Sequence, residues 1–306
     1  MNPKLLILAM PAFLLACAQH PLKATSGTAT ANVEVQEQEE QPAVTVESQN
    51  LPKQEMTQRM LYEFLLGEIA GQRGQLDVAT KSYVELAKTT RDPRIAQRAT
   101  EIALYSRQPD AALQAARVWV EVDPNSTPAR QTLVALLVNS HKLEEARPHI
   151  EKLLTAEGQN VGKGLMQLNG LLSKYPDKMA TLNLVQELAQ PYPRVAEAHF
   201  AISQAAWNAM QYDVALSEVR KTLELRPEWE LAALFQGQVL QHTSNKLAIE
   251  YYHNYLNSNP KAKDVRLSYA RLLVVEKDYP QARSEFQRLR RDFPNNAEVA
   301  LAVGLL

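Results

Sequence analysis

The chain has 306 residues, enough for one large or two medium domains. Hydrophobic residues make up 45%, led by Ala and Leu, while aromatics reach 7% and glycines number ten, which argues against a β-rich fold built on tight turns. Thirty-three basic against 34 acidic residues give a formal charge of −1, which supplies no electrostatic reason to expect nucleic acid, and one cysteine excludes an intramolecular disulfide or a cysteine-built zinc cage.

The first element is a targeting segment. Lys4 gives a minimal positive start, and Leu5 to Leu15 form an apolar run too short to span a bilayer and interrupted by Pro11. Leu14-Leu15-Ala16-Cys17 then resembles the bacterial lipobox, in which the cysteine sulfur takes a diacylglycerol and becomes the first residue after cleavage. Leu15 is larger than the residue usual there, and the alternative is an ordinary secretory signal that contains a cysteine. Nothing nearby would lower the thiol pKa, so a reactive Cys17 is the weaker reading. On the lipobox reading residues 1–16 are a lipoprotein signal and Cys17 is the lipidation site; Ala18, where an Asp would signal inner-membrane retention, points by analogy to the periplasmic face of the outer membrane. Residues 17–53, rich in Gln, Glu, Thr, Val, Ala and Pro, have little to bury and read as a disordered linker. Such a leash of about 35 residues reaches roughly 30–35 Å.

From Met60 onward one pattern recurs. Ala79, Ala112, Ala146, Ala180, Ala215, Ala248 and Ala282 follow one another at intervals of 33, 34, 34, 35, 33 and 34 residues. Four residues after each comes Tyr83, Ala116, Ile150, Leu184, Val219, Tyr252 or Phe286, and Pro124, Pro227, Pro260 and Pro294 close four of the units. This resembles the tetratricopeptide period with its small-residue, bulky-residue and proline signature. It implies an all-α fold, an α-solenoid of stacked helical hairpins over residues 54–306, with about seven repeats and the start of an eighth. Each alanine should open a second helix and let two helices approach. The fourth unit, with Gly162, Gly164 and Gly170, is expected to be a bent or looser joint. The apolar ending at Leu306 reads as a half-hairpin from which the native array continued, or as a final helix covered by a partner or a second copy.

Sites of chemistry are absent from the pattern. The six histidines form no i, i+4 pair, Gly67, Gly71 and Gly74 have the wrong spacing for a phosphate loop and are assigned to the first hairpin turn, and no nucleophile elbow occurs. Glu144-Glu145 reads as a solvated pair, and the basic run with Arg283, Arg288, Arg290 and Arg291 as a solvated face interleaved with Glu285 and Asp292. Trp229, beside Pro227, reads as packing between units. The expectation is no enzyme and no cofactor or metal.

By resemblance to the tetratricopeptide pattern, positions 2, 5, 9, 12 and 13 of each unit face a groove. Here they include Phe64, Glu68, Gln97, Glu101, Tyr105, Gln131, Asn139, Phe200, Gln204, Trp207, Asn208, Gln241 and Arg271. Amides and aromatics with little net charge suit an extended or helical protein segment, and the set lacks the Lys/Asn/Arg arrangement that clamps a C-terminal carboxylate. About half of these residues are expected to pack the solenoid. Lipobox, acidic linker and residues 61–126 together are similar to the tetratricopeptide outer-membrane lipoproteins of proteobacteria that partner a periplasmic carboxyl-terminal processing protease. That resemblance implies a lipid-anchored adaptor that binds and activates the protease and brings it cell-wall hydrolases. The alternatives are an assembly scaffold for outer-membrane proteins or a pilus secretin, or, more weakly, an enzyme whose active domain lies beyond Leu306. No nucleic-acid partner is expected, and the oligomeric state stays open.

Overall fold

In a computed structural model, residues 51–52 and 54–304 are described. The expected signal at 1–16, Cys17 and the linker up to residue 50 lie outside the described residues.

Fifteen α-helices and one 3-10 turn make up the regular structure of the described residues. They pair in chain order: α1 (Gln58–Gln72) with α2 (Leu76–Thr90), α3 (Pro93–Tyr105) with α4 (Pro109–Val122), and α5 (Thr127–Asn139) with α6 (Leu143–Glu157). After the 3-10 turn Gly158–Asn160 come α7 (Val161–Leu172) and α8 (Lys178–Ala189), then α9 (Ala196–Asn208) with α10 (Tyr212–Leu225). Next are α11 (Glu230–Thr243) with α12 (Asn245–Ser258), α13 (Lys263–Val275) with α14 (Tyr279–Asp292), and α15 (Ala297–Gly304).

Local chemistry sets the helix ends. Thr57, Asp92, Ser126, Asp177 and Asp278 each accept a hydrogen bond from a backbone N–H of the following first turn, and Pro93, Pro109, Pro128 and Pro280 occupy early positions where no donor is needed. Five of the turns inside hairpins share one geometry. Gly74, Arg107, His141, Met210 and Lys277 hold positive φ between 55° and 71°, and each lies five residues before its repeat alanine. The next residue donates its N–H back across the turn, Gln75 to Ala70, Gln108 to Ala103, Lys142 to Leu137, Gln211 to Ala206 and Asp278 to Leu273, at 2.8–2.9 Å. This is the Schellman closure that satisfies carbonyls at a helix C-terminus.

The seven repeat alanines all stand in the first turn of even-numbered helices, and six of them are at most 1% exposed. The residues four places later are buried in every unit. A methyl group at the first position lets two helices come close, and the larger side chain one turn on fills the space between them. Ala180 is the exception, being half-buried. Its unit departs from the others: α7 hardly touches α8 and packs instead on α9, which α8 also contacts. Gly162 faces α9 there, and a Cβ on it would lie 2.8 Å from the Glu197 carboxylate, which would have to move aside. The looser fourth unit is therefore an opened hairpin, not a frayed helix.

A polar device recurs in alternate units. On the fourth residue of α5, α9 and α13 stand Arg130, His199 and Arg266. Arg130 donates to the Pro124 carbonyl and faces His149 at 3.3 Å. His199 contacts the Pro193 carbonyl at 3.0 Å and Glu218 at 2.7 Å. Arg266 donates to the Pro260 carbonyl at 2.8 Å and to Glu285 at 2.5 Å. In each case a buried or half-buried cation-capable group ties the entry loop to the second helix of its own hairpin. This corrects the reading of Glu285 as part of a solvated face: it is 6% exposed and also holds Arg288. Asp292 is exposed and pairs with Arg291, as a solvated residue does. Gly67 and Gly71 are corrected too. Both lie within α1, and Gly67 faces the Tyr83 ring so closely that a Cβ would stand 2.9 Å from it, leaving only Gly74 in the turn.

Candidate functional site

A cleft of about 840 Å³ is bounded by α7, α9 and α11, with Tyr252 of α12 and Ser268 of α13 also in its lining. Two side-chain amides meet in it. Asn169 of α7 and Gln204 of α9 hold equivalent places in successive units, and Asn169 donates to Gln204 at 2.8 Å. Gln238 and Gln241 of α11 and Asn208 at the end of α9 add further amides.

Aromatic rings build the wall. Phe200 packs on Trp229 with centroids 4.8 Å apart and on Phe235 at 5.6 Å, and Trp207 lies 6.0 Å from Phe235. Trp207 continues into Tyr212 at 5.2 Å and His242 at 5.7 Å, which stack on each other at 3.9 Å. Trp229 is further covered by the Arg226 guanidinium, 4.5 Å above its ring, so it packs between units as its place beside Pro227 suggested. The cleft depends on one glycine outside its lining. A Cβ on Gly237 would lie 2.1 Å from the Tyr252 ring, so only glycine lets Tyr252 reach the cleft and donate to the Leu234 carbonyl.

The predicted groove residues distribute unevenly. Gln204, Trp207, Asn208 and Gln241 come together in this cleft. Phe200 lies beneath them with 0% exposure, so its ring serves packing. Glu68, Glu101 and Tyr105 share a second cleft of about 440 Å³ between α1, α2 and α3. There Glu68 accepts from the Tyr83 hydroxyl, whose pKa burial, with help from Glu68, pushes up to about 12. Phe64 packs edge-on against Tyr83 at 6.3 Å, and Gln97 donates to Glu101 at 3.0 Å. Gln131 borders a third, smaller and mainly apolar hollow of about 220 Å³. Asn139 and Arg271 are exposed on α5 and α13 and line none of these three clefts.

Sequence reasoning missed Asn169, although it stands at position 9 of its unit, because the glycines of α7 lowered the weight given to that helix. It also missed Leu231, Leu234, Phe235 and Gln238, which lie outside the five groove positions. No cluster of three or more His, Cys, Asp or Glu side chains able to hold a metal occurs among the described residues. No helix among them is long and apolar enough to cross a membrane.

Residues 240–306 match the tetratricopeptide repeat family, and the hairpin geometry above continues the same repeat back to α1. The described residues form an α-solenoid of tetratricopeptide-type helical hairpins. This tetratricopeptide array is similar to a TPR repeat-containing protein of Pseudomonas aeruginosa, at 26% identity over 211 residues, or 69% of this chain and 35% of the relative. The chain thus spans about a third of that relative's length. Among solved structures, the C-terminal part of a TPR repeat-containing protein from Cytophaga hutchinsonii matches with a TM-score of 0.45 and 16% identity, covering 80% of this chain and 99% of that one. Pseudomonas aeruginosa pilF matches with a TM-score of 0.37 and 19% identity, covering 76% of this chain and 97% of that one. The tetratricopeptide fold is a scaffold for protein–protein interaction.

Proposed function

We propose that this chain is a lipid-anchored adaptor. Cys17 carries the acyl chains that hold it at the periplasmic face of the outer membrane, and the solenoid binds a carboxyl-terminal processing protease and presents cell-wall hydrolases to it. The observation that carries the adaptor reading is the cleft on α7, α9 and α11, where Trp207 and Phe235 offer aromatic anchors and Gln204, Gln238 and Gln241 offer amides. Anchors of this kind surrounded by uncharged polar groups suit a protein segment. The choice of protease rests on the resemblance of the lipobox, the acidic linker and residues 61–126 to the protease-partner lipoproteins.

Affinity capture with the full chain from an envelope extract tests the partner. Recovery of the protease, lost when Trp207→Ala is combined with Gln204→Ala, is the expected result. Secretin or barrel-assembly subunits without protease would overturn it. Fractionation of a Cys17→Ser variant tests the anchor: release from the membrane fraction is expected, and unchanged retention counts against lipidation.

A further inference from the structure

No charged side chain of either sign lines the cleft between α7, α9 and α11, although charged residues make up 22% of the chain. Its polar groups are amides and hydroxyls, and its wall is Trp207 and Phe235. A carboxylate or ammonium drawn into such a place sheds part of its water and meets no counter-charge, which disfavours it relative to a neutral group. A neutral amide entering the same place meets groups that both donate and accept.

A second observation concerns the cleft floor. Asn169 is 5% exposed, gives its Nδ2 hydrogen to Gln204, and leaves its Oδ1 buried without a partner. An unmet buried polar atom is destabilising, so a group that pairs with it gains by doing so. A main-chain N–H reaching the pair from the cleft supplies the missing partner. If the two amides are turned the other way round, a main-chain carbonyl does the same. A peptide backbone carries both groups in every residue.

We propose that this cleft takes an internal, uncharged stretch of polypeptide bearing an aromatic or leucine side chain, and that it disfavours a free chain terminus. The inference rests on the adaptor reading and specifies what the groove accepts. The backbone is read by Asn169, Gln204 and Gln241, and the side chain enters beside Trp207 and Phe235. A protein segment of this kind is presented by an unfolded or loop region, not by a C-terminal tail.

Titration calorimetry on the full chain tests this with N-acetylated, C-amidated decapeptides built from Ala, Leu, Phe, Ser and Gln. Each is paired with a twin that ends in a free carboxylate next to its aromatic residue. The blocked peptides should bind about tenfold tighter than their twins. Gln204→Glu should weaken the blocked peptides about tenfold, and Gln241→Glu, on the exposed rim where folding is not at stake, should act in the same direction. Equal or tighter binding of the twins, no binding by any blocked peptide, or indifference to both substitutions overturns the proposal. So does occupation of the cleft by a second copy, seen as a dimer that Gln204→Glu dissociates. If the preference fails while protease capture succeeds, this inference alone falls; if the preference holds and no protease is recovered, the adaptor reading alone falls.

Discussion

His149 shows how much a single side chain in this solenoid depends on its place in the repeat. Burial first, and then the nearby Arg130 and Lys152 charges, hold its pKa below the ordinary value near 6.5. The folded protein therefore binds a proton at His149 less readily than the unfolded chain does, and stability contributed by the neutral ring is present above about pH 6.5 and lost as the pH falls below it. The denaturant midpoint should drop between pH 7.5 and pH 5.5. His149→Gln, which keeps an acceptor for Arg130 but cannot be protonated, should reduce that drop; an unaltered pH dependence would refute the assignment. At lower pH a separate loss sets in. Asp92, bonded to Arg94, and Glu218, where Lys221 and His199 outweigh the effect of burial, are both held below the usual carboxylate range. Little of this was legible in the sequence, where Glu285 read as part of a solvated face and His149 formed no i, i+4 pair that would single it out. The partner of each lies 19 positions earlier in the first helix of the same hairpin, and that spacing acquires meaning only once the hairpin register is known.

At the scale of the element, register was readable and tightness was not. Ala79, Ala112 and the later repeat alanines mark the second helices because a methyl group at a close helix crossing is a local requirement that repeats with the unit. The opening of the α7–α8 hairpin was only partly visible. Low helix propensity flagged Gly162, but propensity does not say that its bare backbone would dock against Glu197 on α9. The turn residues were not read as a set either, since Arg107, His141, Met210 and Lys277 share no chemistry. What they share is a left-handed backbone, which costs a non-glycine residue about 1–2 kcal/mol. Gly74 shows how the first hairpin avoids that cost. Met210 has φ of 59° and is 74% exposed, so its side chain contributes little packing. Met210→Gly should therefore stabilise the protein by about 1 kcal/mol after allowing for the greater entropy of glycine in the unfolded chain. Met210→Val should destabilise it, since a branched side chain suits that backbone least. Thermal or urea unfolding of the two variants beside the parent checks the order, and a parent more stable than Met210→Gly would contradict it.

At the scale of the whole array, stability is the sum of each unit and its contacts with its neighbours, so one weak unit has local consequences. The fourth unit lacks the close pairing of its own two helices and relies on α9 to hold both. Opening of α7 and α8 then costs less than opening of α3 and α4, whose helices pack closely on each other and on α2. Amide hydrogen exchange should be faster across residues 161–189 than across 93–122. Gly170 permits a direct test of cause. It is a helical glycine on α7 with no atom within 4 Å of where a Cβ would stand and no left-handed backbone, so alanine fits without displacement. Gly170→Ala should raise helix stability by about 1 kcal/mol. Because the gain belongs to α7, exchange should slow across that helix while residues 93–122 stay as they were. Uniform slowing along the chain would mean that the array opens as one unit and that the fourth hairpin is no weaker than the rest. The same variant adds a methyl group at the edge of the amide cleft that Asn169 and Gln204 share. If α7 must shift for a segment to reach Asn169, Gly170→Ala should also slow peptide association while leaving the preference for blocked ends intact.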